Sequence, residues 1–483
     1  MTVRAEGRLN PRTIFLSADH GLAIVYFLQS DLLPTLLAGG VRVVLLTDDS
    51  LIGQIEERFG REGLVVEGLR MAAARQYWNH ERPGQQYWID FLRRAGASNR
   101  INLEAVDSYI QQVGAEAVGL RRAAFPAMRV AVALMRRSRY ARRRLVTAQA
   151  RFSPPIYADL FEKYRPSLVV AATPGWRSDR YLLREAARRG VGTAAAIVGW
   201  DNPSSYSLPG APVDRITCWS QIQKDELVRG ADWDPQQVHI GGIPSYDGYF
   251  RRSWLIPRTE YFNRHGLDPE RKLIAYAASF ITFSPNIQNV AVLARLISDD
   301  SLGAPSQLLI RLHPNHFMDV ERFAQEGEQI RRMARELPHV HVVEPAPLGG
   351  EFGRYSGEDM DEKSSMMAYA DVFTTVYSTM VVEAACHGAP VVSVCIDHDR
   401  GWEGKFTLPL SRIGGWPTHD RFRTSGAGRV ASDERGLRAA LNEYLENPSA
   451  QTAERRAFIE RECTYTDGSA GRRTAGYLLS LLN

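Results

Sequence analysis

One segment in the second half of the chain combines hydroxyl side chains and a glutamate at a spacing that suits a nucleotide. An apolar run at 372–375 is followed by Ser378 and Thr379, and a helix then begins with Glu383 about one turn inside it. Free backbone amides at a helix start can bind a diphosphate together with nearby hydroxyls, and Glu383 could accept hydrogen bonds from ribose hydroxyls. An ordinary capped helix between two strands has the same residue types. The segment therefore indicates a candidate diphosphate site and assigns no reaction.

Two turns in the first half carry side chains that could move a proton. Asp19 and His20 follow an apolar run at 13–17, and the unperturbed pKa of histidine suits acid–base work near neutral pH. Asp201 lies in the loop at 200–205, after another apolar run, and its carboxylate could act as a general base. A polar loop pair explains the first turn equally simply, and an Asx turn explains the second. The sequence does not decide which of these three residues is the base.

A parallel sheet is the arrangement that would bring these turns to one edge. Short apolar runs alternate with amphipathic helical stretches, and glycines separate many of them, as in parallel α/β sheets. Ligands in such sheets bind at the carboxyl ends of the strands, which is where all the candidate residues lie. The predicted strands are residues 13–17, 41–46, 63–66, 167–171, 192–198, 215–219, 273–277, 308–312, 339–343, 372–375 and 391–396.

The length of the chain predicts two domains. Its 483 residues exceed one ordinary core, because domains usually hold about 100–200 residues. We place the first domain at 1–255 and the second at 256–470, with a hydrophilic connector at their boundary and a final helix at 471–483. Residues 70–157 interrupt the alternation of strands and helices, and they are predicted to form a helical insertion in the first domain.

The predicted insertion is unusually basic. Ten arginines lie between Arg121 and Arg151, and no acidic residue occurs between Glu116 and Asp159. Such a segment could lie on an anionic membrane surface or bind an acidic, phosphate-bearing substrate. A solvated helix face is the simpler explanation, although the lack of any acidic residue counts against it.

Composition excludes several other classes. The charged and hydrophobic fractions, 24% and 44%, are those of globular proteins, and a net charge of +4 does not indicate general binding of nucleic acid. The four cysteines form no CxxC pair, so neither a zinc site nor a disulfide framework is predicted. The N-terminus is polar, and no run approaches the roughly 20 apolar residues that span a bilayer. We therefore expect a cytoplasmic protein, peripheral on the inner face of a membrane if the basic segment binds lipid.

Motifs of nucleotide enzymes with other folds are missing. The first strand of each half, 13–17 and 273–277, is not followed by the Gly-x-Gly-x-x-Gly turn of NAD enzymes, and no P-loop occurs. The segment from Ser279 to Thr282 stands where the second half would carry its glycine-rich turn, and its hydroxyls could contact phosphates. Dehydrogenases and P-loop NTPases are therefore poor matches.

Four motifs in a fixed order resemble one superfamily. They are Gly241-Gly-Ile-Pro-Ser-Tyr-Asp247, Arg311-Leu-His-Pro314, Ser378-Thr379-x3-Glu383 with Gly388-x-Pro390, and Asp467-Gly-Ser-Ala-Gly-Arg472. Over roughly residues 160–480 the chain is similar to GT-B glycosyltransferases. The motifs most resemble the branch that contains capsule polysaccharide transferases, CDP-glycerol glycerophosphotransferases and non-hydrolysing UDP-N-acetylglucosamine 2-epimerases. The loop at 200–205 also resembles an element of this branch, but Tyr206 and Ser207 stand where that element has Lys-Gly.

The resemblance implies two Rossmann-like domains facing across a cleft, with the nucleotide-sugar donor bound by the second domain. Arg311 and His313 would contact the donor diphosphate, because arginine offers fixed donors for phosphate oxygens. The acceptor would approach Asp19, His20 or Asp201 in the first domain. GT-B enzymes usually stabilise the departing diphosphate with cations and helix dipoles, and the Asp-x-Asp element of metal-dependent GT-A transferases is absent. We therefore expect neither a metal nor a cofactor, since the nucleotide sugar is a substrate. With Ser279, which its position after residues 273–277 suggests, the candidate donor-site residues are Ser279, Arg311, His313, Ser378, Thr379 and Glu383.

The function that the sequence favours is transfer of a sugar to a glycan or lipid-linked acceptor, in bacterial surface polysaccharide synthesis by resemblance. One alternative is a CDP-alcohol-dependent polyol-phosphate transferase, although its usual His-Gly-x3-Lys element is missing. Another is a UDP-sugar 2-epimerase, which usually carries Ser-Gly-Gly where this chain has Ser378, Thr379 and Met380. A non-enzymatic nucleotide sensor or scaffold on the same fold is a third. Donor, acceptor and stereochemical course stay open.

Overall fold

Two parallel sheets of Val-, Ile- and Leu-rich strands organise the protein. The computed structural model describes residues 12–279, 284–346, 357–397, 401–403 and 405–482. The two sheets have seven and six strands, and helices surround them, which confirms the predicted α/β fold with two Rossmann-like domains. Strands buried on both faces read as continuous apolar runs, which is why the sequence pattern located most of them.

The first sheet has the order β3-β2-β1-β4-β5-β6-β7, and all neighbours are parallel. The chain direction across the sheet reverses between β1 and β4, and this switch point is where parallel α/β sheets bind ligands. Its strands are β1 (Thr13–Ala18), β2 (Arg42–Thr47), β3 (Leu64–Gly68), β4 (Leu168–Ala171), β5 (Gly192–Ala196), β6 (Arg215–Cys218) and β7 (Val238–Ile240).

The second sheet has the order β10-β9-β8-β11-β12-β13 and is also parallel throughout. Its switch point lies between β8 and β11. The short edge strands β7 of the first sheet and β13 of the second were not predicted, because three residues carry no periodicity. The strands are β8 (Lys272–Ala277), β9 (Ser306–Arg311), β10 (Val340–Val343), β11 (Val372–Thr375), β12 (Val391–Val394) and β13 (Arg429–Ala431).

Helices cover both sheets and form the insertion. In the first half they are α1 (Gly21–Leu28), α2 (Leu32–Ala38), α3 (Ile52–Phe59), α4 (Met71–Gln76), α5 (Gly84–Ala95), α6 (Glu104–Glu116), α7 (Gly119–Arg137), α8 (Arg139–Ala148), α9 (Ala158–Tyr164), α10 (Arg180–Arg188), α11 (Asn202–Ser205), α12 (Gln221–Ala231) and α13 (Asp247–Phe250). In the second half they are α14 (Arg258–His265), α15 (Ile287–Ser298), α16 (Glu321–Glu336), α17 (Met360–Tyr369), α18 (Met380–Cys386), α19 (Leu410–Ile413), α20 (Pro417–Ser425), α21 (Glu434–Glu446), α22 (Thr452–Cys463) and α23 (Ala470–Ser480).

The insertion between β3 and β4 is helical and has a small core of its own. Phe91 of α5 and Val132 of α7 are buried together in it. On its other side, α6 contacts the second domain: Glu104 pairs with Arg412 at 2.7 Å, and Ser108 accepts a hydrogen bond from the indole of Trp416. The insertion therefore packs against both domains.

The final helix α23 returns to the first domain. Both oxygens of the Asp247 carboxylate accept hydrogen bonds from backbone amides at the start of α23, from Ala470 at 3.0 Å and Gly471 at 2.8 Å. Leu478 of the same helix is buried in the core formed by β1 and α1. Two of the sequence motifs, those ending at Asp247 and beginning at Asp467, thus meet in one helix cap.

A test for membrane-spanning helices finds none among the described residues that is long and apolar enough by itself. The bent pair α1 and α2 meets the length and composition criteria together. Seven of the eight residues of α1 and three of the seven residues of α2 are buried.

Candidate functional site

Residues predicted for the donor side lie at one edge of the second sheet. Ser279 follows β8, Arg311 ends β9, and Ser378 follows β11, and these three strands are neighbours in the order β9-β8-β11. Ser279 is buried, and its backbone amide donates to Asn286 Oδ1 at 3.0 Å. Thr282, the other hydroxyl predicted in this turn, lies outside the described residues.

Glu383 is the centre of a buried polar cluster. Its Oε2 lies 2.5 Å from the ammonium of Lys363 and accepts a hydrogen bond from the hydroxyl of Tyr249 at 2.6 Å. Tyr249 belongs to α13, at the end of the first domain, and Lys363 to α17 of the second. Glu383 therefore ties α13 to the second domain.

His313 is held as a neutral imidazole in a defined tautomer. Its Nδ1 accepts a hydrogen bond from the backbone amide of Asn315 at 3.0 Å, which assigns the ring proton to Nε2. Burial, together with the positive charge of the nearby His316, Arg311 and Lys363, lowers the pKa of His313 to about 3. At neutral pH His313 is thus a hydrogen-bond donor without charge.

Arg311 forms a buried ion pair rather than an exposed cation. Its guanidinium donates to Asp359, the residue that precedes α17. The same carboxylate accepts a hydrogen bond from the backbone amide of Ala346 at 3.0 Å. Since Arg311 and Lys363 both contribute to the low pKa of His313, the three side chains form one cluster beside the predicted diphosphate position.

Ser378 and Thr379 occupy the turn between β11 and α18, and both are half-buried. The hydroxyl of Ser378 accepts a hydrogen bond from the amide of Met380 at 3.3 Å. Thr379 precedes α18 and makes no side-chain cap to it. Tyr377, in the same turn, has a positive φ of 35°, and its ring packs beside His419.

On the other domain, Asp19 and His20 form a buried pair at the carboxyl end of β1. His20 Nδ1 lies 2.6 Å from Asp19 Oδ1, and both side chains are less than a tenth exposed. Burial lowers the pKa of His20, as does the positive charge of Arg177. Burial opposes ionisation of Asp19, but His20 and Arg177 outweigh it, so its pKa is also lowered. A neutral imidazole oriented by an ionised carboxylate is an arrangement that can accept a proton at Nε2.

Two adjoining cavities open beside this pair. His20, Arg177 and Asn202 are among the residues lining a narrow cavity of about 40 Å³. Trp176 and Arg177 also line a second cavity of about 300 Å³, which runs toward α4 and α10 and has Trp78 on its wall. The Asp19–His20 pair therefore lies next to a space large enough for part of a second substrate.

Asp201 immediately precedes α11. Its backbone carbonyl accepts hydrogen bonds from Ser204 and Ser205 of that helix, and desolvation raises the pKa of its carboxyl. Its neighbour Asn202, not Asp201, lines the cavity with His20. The adjacent Trp200 is buried and donates its indole N–H to Glu462 Oε2 at 2.8 Å, so this loop also joins the two domains.

The departure from the related Lys-Gly element has a structural counterpart. Ser207 has a φ of 65°, the left-handed conformation that favours glycine. Its hydroxyl accepts a hydrogen bond from the amide of Ala97 at 3.1 Å, which offsets part of the conformational cost. Tyr206 stacks on Trp176 at 5.3 Å between ring centres, so an aromatic ring lines the cavity where the related element has a lysine.

Contacts across the cleft connect the two sides. Helix α1 begins directly after His20, and Gln29 at its end donates to the carbonyl of Gly357 at 2.8 Å. Gly357 precedes Asp359, the ion-pair partner of Arg311, by two residues. The His20 turn and the Arg311 cluster thus belong to edges of the two domains that touch each other.

Sequence reasoning missed three residues of these clusters. Arg177 follows β4 at the switch point of the first sheet, so the rule for strand ends could have indicated it. Tyr249 lies two residues beyond the motif that ends at Asp247. Lys363 lies in a helix with no recognisable motif, and no local signal pointed to it. A search of the described residues found no group of three or more His, Cys, Asp or Glu side chains placed to hold a metal ion.

Comparison with known proteins gives structural likeness only. No protein-family model matches the chain, and no curated protein matches it significantly. The UDP-GlcNAc 2-epimerase of Neisseria meningitidis bound to UDP-GlcNAc is 12% identical, with a TM-score of 0.51 over 97% of this chain and 100% of that one. MnaA of S. aureus, solved with UDP, is 11% identical, with a TM-score of 0.52 over 97% of both chains. The glycotransferase of kitacinnamycin is 12% identical, with a TM-score of 0.51 over 98% of this chain and 100% of that one.

These identities are too low to carry activity or substrate from one protein to another. The matches extend over nearly the whole of each chain, so they include both domains. The suspected structural relationship is therefore confirmed at the level of the fold: this chain has the two-domain GT-B fold that glycosyltransferases and UDP-GlcNAc 2-epimerases share.

Proposed function

We propose that this protein is a glycosyltransferase that moves a sugar from a nucleotide-sugar donor to a hydroxyl group of a glycan or lipid-linked acceptor. The observation that carries the proposal is the buried Asp19–His20 pair beside two adjoining cavities in the first domain. A base beside a space for a second substrate suits transfer between two molecules. The motif resemblance supports a role in bacterial surface polysaccharide synthesis on the cytoplasmic side of the membrane.

In this proposal the second domain binds the donor. Glu383 Oε1 accepts hydrogen bonds from the ribose hydroxyls, while Oε2 stays with Lys363 and Tyr249. Ser279, Ser378 and Thr379 contact the diphosphate from the ends of β8 and β11. His313 donates a hydrogen bond from its Nε2 to a phosphate oxygen.

The proposed reaction forms one bond and breaks one. The acceptor oxygen attacks the anomeric carbon of the sugar, and the bond from that carbon to the diphosphate oxygen breaks. His20 Nε2 accepts the acceptor's proton, and Asp19 stabilises the imidazolium that results. Arg311, Lys363 and the N–H of His313 stabilise the charge that develops on the departing nucleoside diphosphate. No metal enters this scheme.

A ligand screen tests the donor assignment. The melting temperature is measured with UDP-, GDP-, dTDP-, CDP- and CMP-linked donors, each with and without EDTA, because a ligand that binds the native state raises it. We expect stabilisation by one class of nucleotide sugar, unaffected by EDTA. No shift with any nucleotide would refute the transferase proposal, and a shift with CDP-glycerol or CDP-ribitol alone would favour polyol-phosphate transfer.

Base variants test the reaction. General-base catalysis contributes about 10²–10⁴-fold to rate, so His20→Gln should lower kcat by that order while leaving nucleotide affinity unchanged. Asp201→Asn is the matched comparison in the neighbouring loop. A larger loss of kcat in Asp201→Asn than in His20→Gln would transfer the base role to Asp201.

A UDP-sugar 2-epimerase is the second candidate, because structures of that activity share the fold and the extent of the chain. Epimerisation at C2 needs no acceptor and exchanges the C2 proton with solvent. Incubation of the protein with UDP-N-acetylglucosamine in D₂O, followed by NMR, separates the candidates. Deuterium at C2 without any acceptor would establish the epimerase, whereas the transferase leaves C2 protonated.

A further inference from the structure

Exposed apolar side chains are concentrated on one helix of the insertion. Among the described residues, six large hydrophobic side chains are more than a third exposed, and five of them lie between residues 118 and 140. Leu120 is 90% exposed, Val130 61% and Leu134 62%, all on α7. Val118 and Tyr140 flank that helix. Scattered exposed apolar residues need no explanation, but a contiguous group usually marks an interaction surface.

Helix α7 has two apolar faces. One face carries Val132 and Met135, which are buried against the rest of the insertion. At 100° per residue, Leu120, Val130 and Leu134 fall within a sector of about 80° on the opposite side. The buried face accounts for the folding of α7, and the second face, called here the α7 stripe (Leu120, Val130 and Leu134), has no covering element in the described part of the chain.

The structure separates the ten arginines of this region by role. Arg142 is buried and binds the carboxylate of Asp232 through two N–H groups, with Nε 2.5 Å and Nη2 2.9 Å away. Arg136 pairs with Asp107 at 2.8 Å. Arg136 thus pairs within the insertion, whereas Arg142 fixes the insertion to the residue that follows α12. Neither arginine is available to a partner, which corrects the simple picture of a uniformly basic surface.

Other arginines of the region border the stripe. Arg122 and Arg129 are exposed on α7, and by the same helical geometry they form a row about 80–100° around the helix from Val130, the nearest residue of the stripe. No acidic residue lies on α7 or α8. The surface thus combines an apolar strip with a uniformly positive margin, which is the pattern of helices that lie in the headgroup region of anionic membranes.

We propose that α7 docks this protein on an anionic lipid surface, with the α7 stripe inserted at the boundary between headgroups and acyl chains and with Arg122 and Arg129 reaching toward the phosphates. Charge complementarity selects lipid as the occupant, because a second copy of the chain would bring the same positive margin against itself. The orientation places α7 in the plane of the membrane. Docking does not depend on the proposed function, since it uses no residue of the donor or acceptor clusters.

The test is sedimentation of the full chain with vesicles of phosphatidylcholine alone and of phosphatidylcholine mixed with phosphatidylglycerol. We expect binding to the mixed vesicles only, weakened by added salt because surface charges are screened. Each arginine near an anionic surface strengthens binding about fivefold, so Arg122→Glu with Arg129→Glu should weaken it by at least about 25-fold. Leu120→Ser, Val130→Ser and Leu134→Ser together should abolish insertion.

A charge-matched control separates docking from general electrostatics. Arg435 and Arg438 are exposed on α21 of the other domain, and replacing both with Glu should leave vesicle binding unchanged. Melting temperatures of all variants report whether they fold. Equal loss of binding in the α7 and α21 variants would overturn the proposal, as would binding that survives the triple serine change. Self-association that the serine variant abolishes, without vesicle binding, would show a protein interface instead.

Discussion

The buried pair of Glu383 and Lys363 allows the structural and ligand-binding roles of one residue to be separated. The carboxylate lies 2.5 Å from the ammonium, and both side chains are less than a tenth exposed. Glu383→Gln retains the shape and leaves Lys363 without this counter-charge, which costs about 3–5 kcal/mol for a buried pair. For a domain of about 200 residues each kcal/mol shifts Tm by about 2–4 °C. The melting temperature should therefore fall by roughly 6–20 °C.

A double-mutant cycle measures the pair directly. Lys363→Met alone should destabilise by a similar amount, because it leaves the Glu383 carboxylate buried without its cation. The double variant Glu383→Gln with Lys363→Met should recover much of the loss, since both charges are gone and single effects of residues in contact do not add. Tyr249→Phe, which removes only one hydrogen bond to a charged group, should cost about 1.5–3 kcal/mol.

Nucleotide affinity gives the second readout of the cycle. If Glu383 Oε1 binds ribose, the double variant should regain stability and still bind nucleotide weakly, as measured by calorimetry at a temperature where every variant is folded. Additive losses of stability would show that the ion pair does not contribute as argued. Normal nucleotide affinity in the double variant would refute the ribose contact and leave Glu383 a structural residue.

Three further predictions concern protonation and the final helix. The pKa of His20 is lowered from 6.5, so kcat/KM should stay constant from neutral pH to about 6.5 and fall in more acid solution; a fall that begins above pH 7 would contradict a neutral His20. His313, His387 and His419 have pKa values of about 3, 4 and 3 in the folded state, all below the unfolded value, so their stabilisation is complete above pH 6.5 and is lost as pH falls. Each of these three histidines should lower the free energy of unfolding by about 1.4 kcal/mol between pH 7.5 and 5.5, as measured by urea titrations. His419→Asn should therefore reduce the total loss by about 1.4 kcal/mol; an unchanged loss would show that the ring of His419 is already charged in the folded protein. Asp247→Ala should destabilise by about 2–4 kcal/mol, because two buried amides lose their acceptor, and amide hydrogen exchange should accelerate in α23; protection equal to the unmodified protein would show that the cap is dispensable.

Much of the fold was predictable because each strand of a parallel sheet forms an apolar run that can be recognised in the sequence. Strands such as β1 and β9 are buried on both faces and read as apolar runs, and glycines mark the turns between them. Since all strands run the same way, residues that follow different strands reach the same edge. That argument places Ser279, Arg311 and Ser378 at one edge of the second sheet from the sequence alone. This argument did not predict the three-residue strands β7 and β13, because such short segments have no periodicity.

The sequence by itself determined the α/β class, the existence of two sheets and the edges where the candidate residues lie, because each depends on neighbours within a few positions. Tertiary structure alone decided the partners. Glu383 meets Tyr249 from 134 positions away, and Asp247 caps a helix 223 positions later. The tertiary structure also shows which arginines of α7 and α8 are buried in ion pairs, such as Arg142, and which are exposed, such as Arg122. Such pairings depend on how separated elements pack, and charge or composition within one segment carries no information about them.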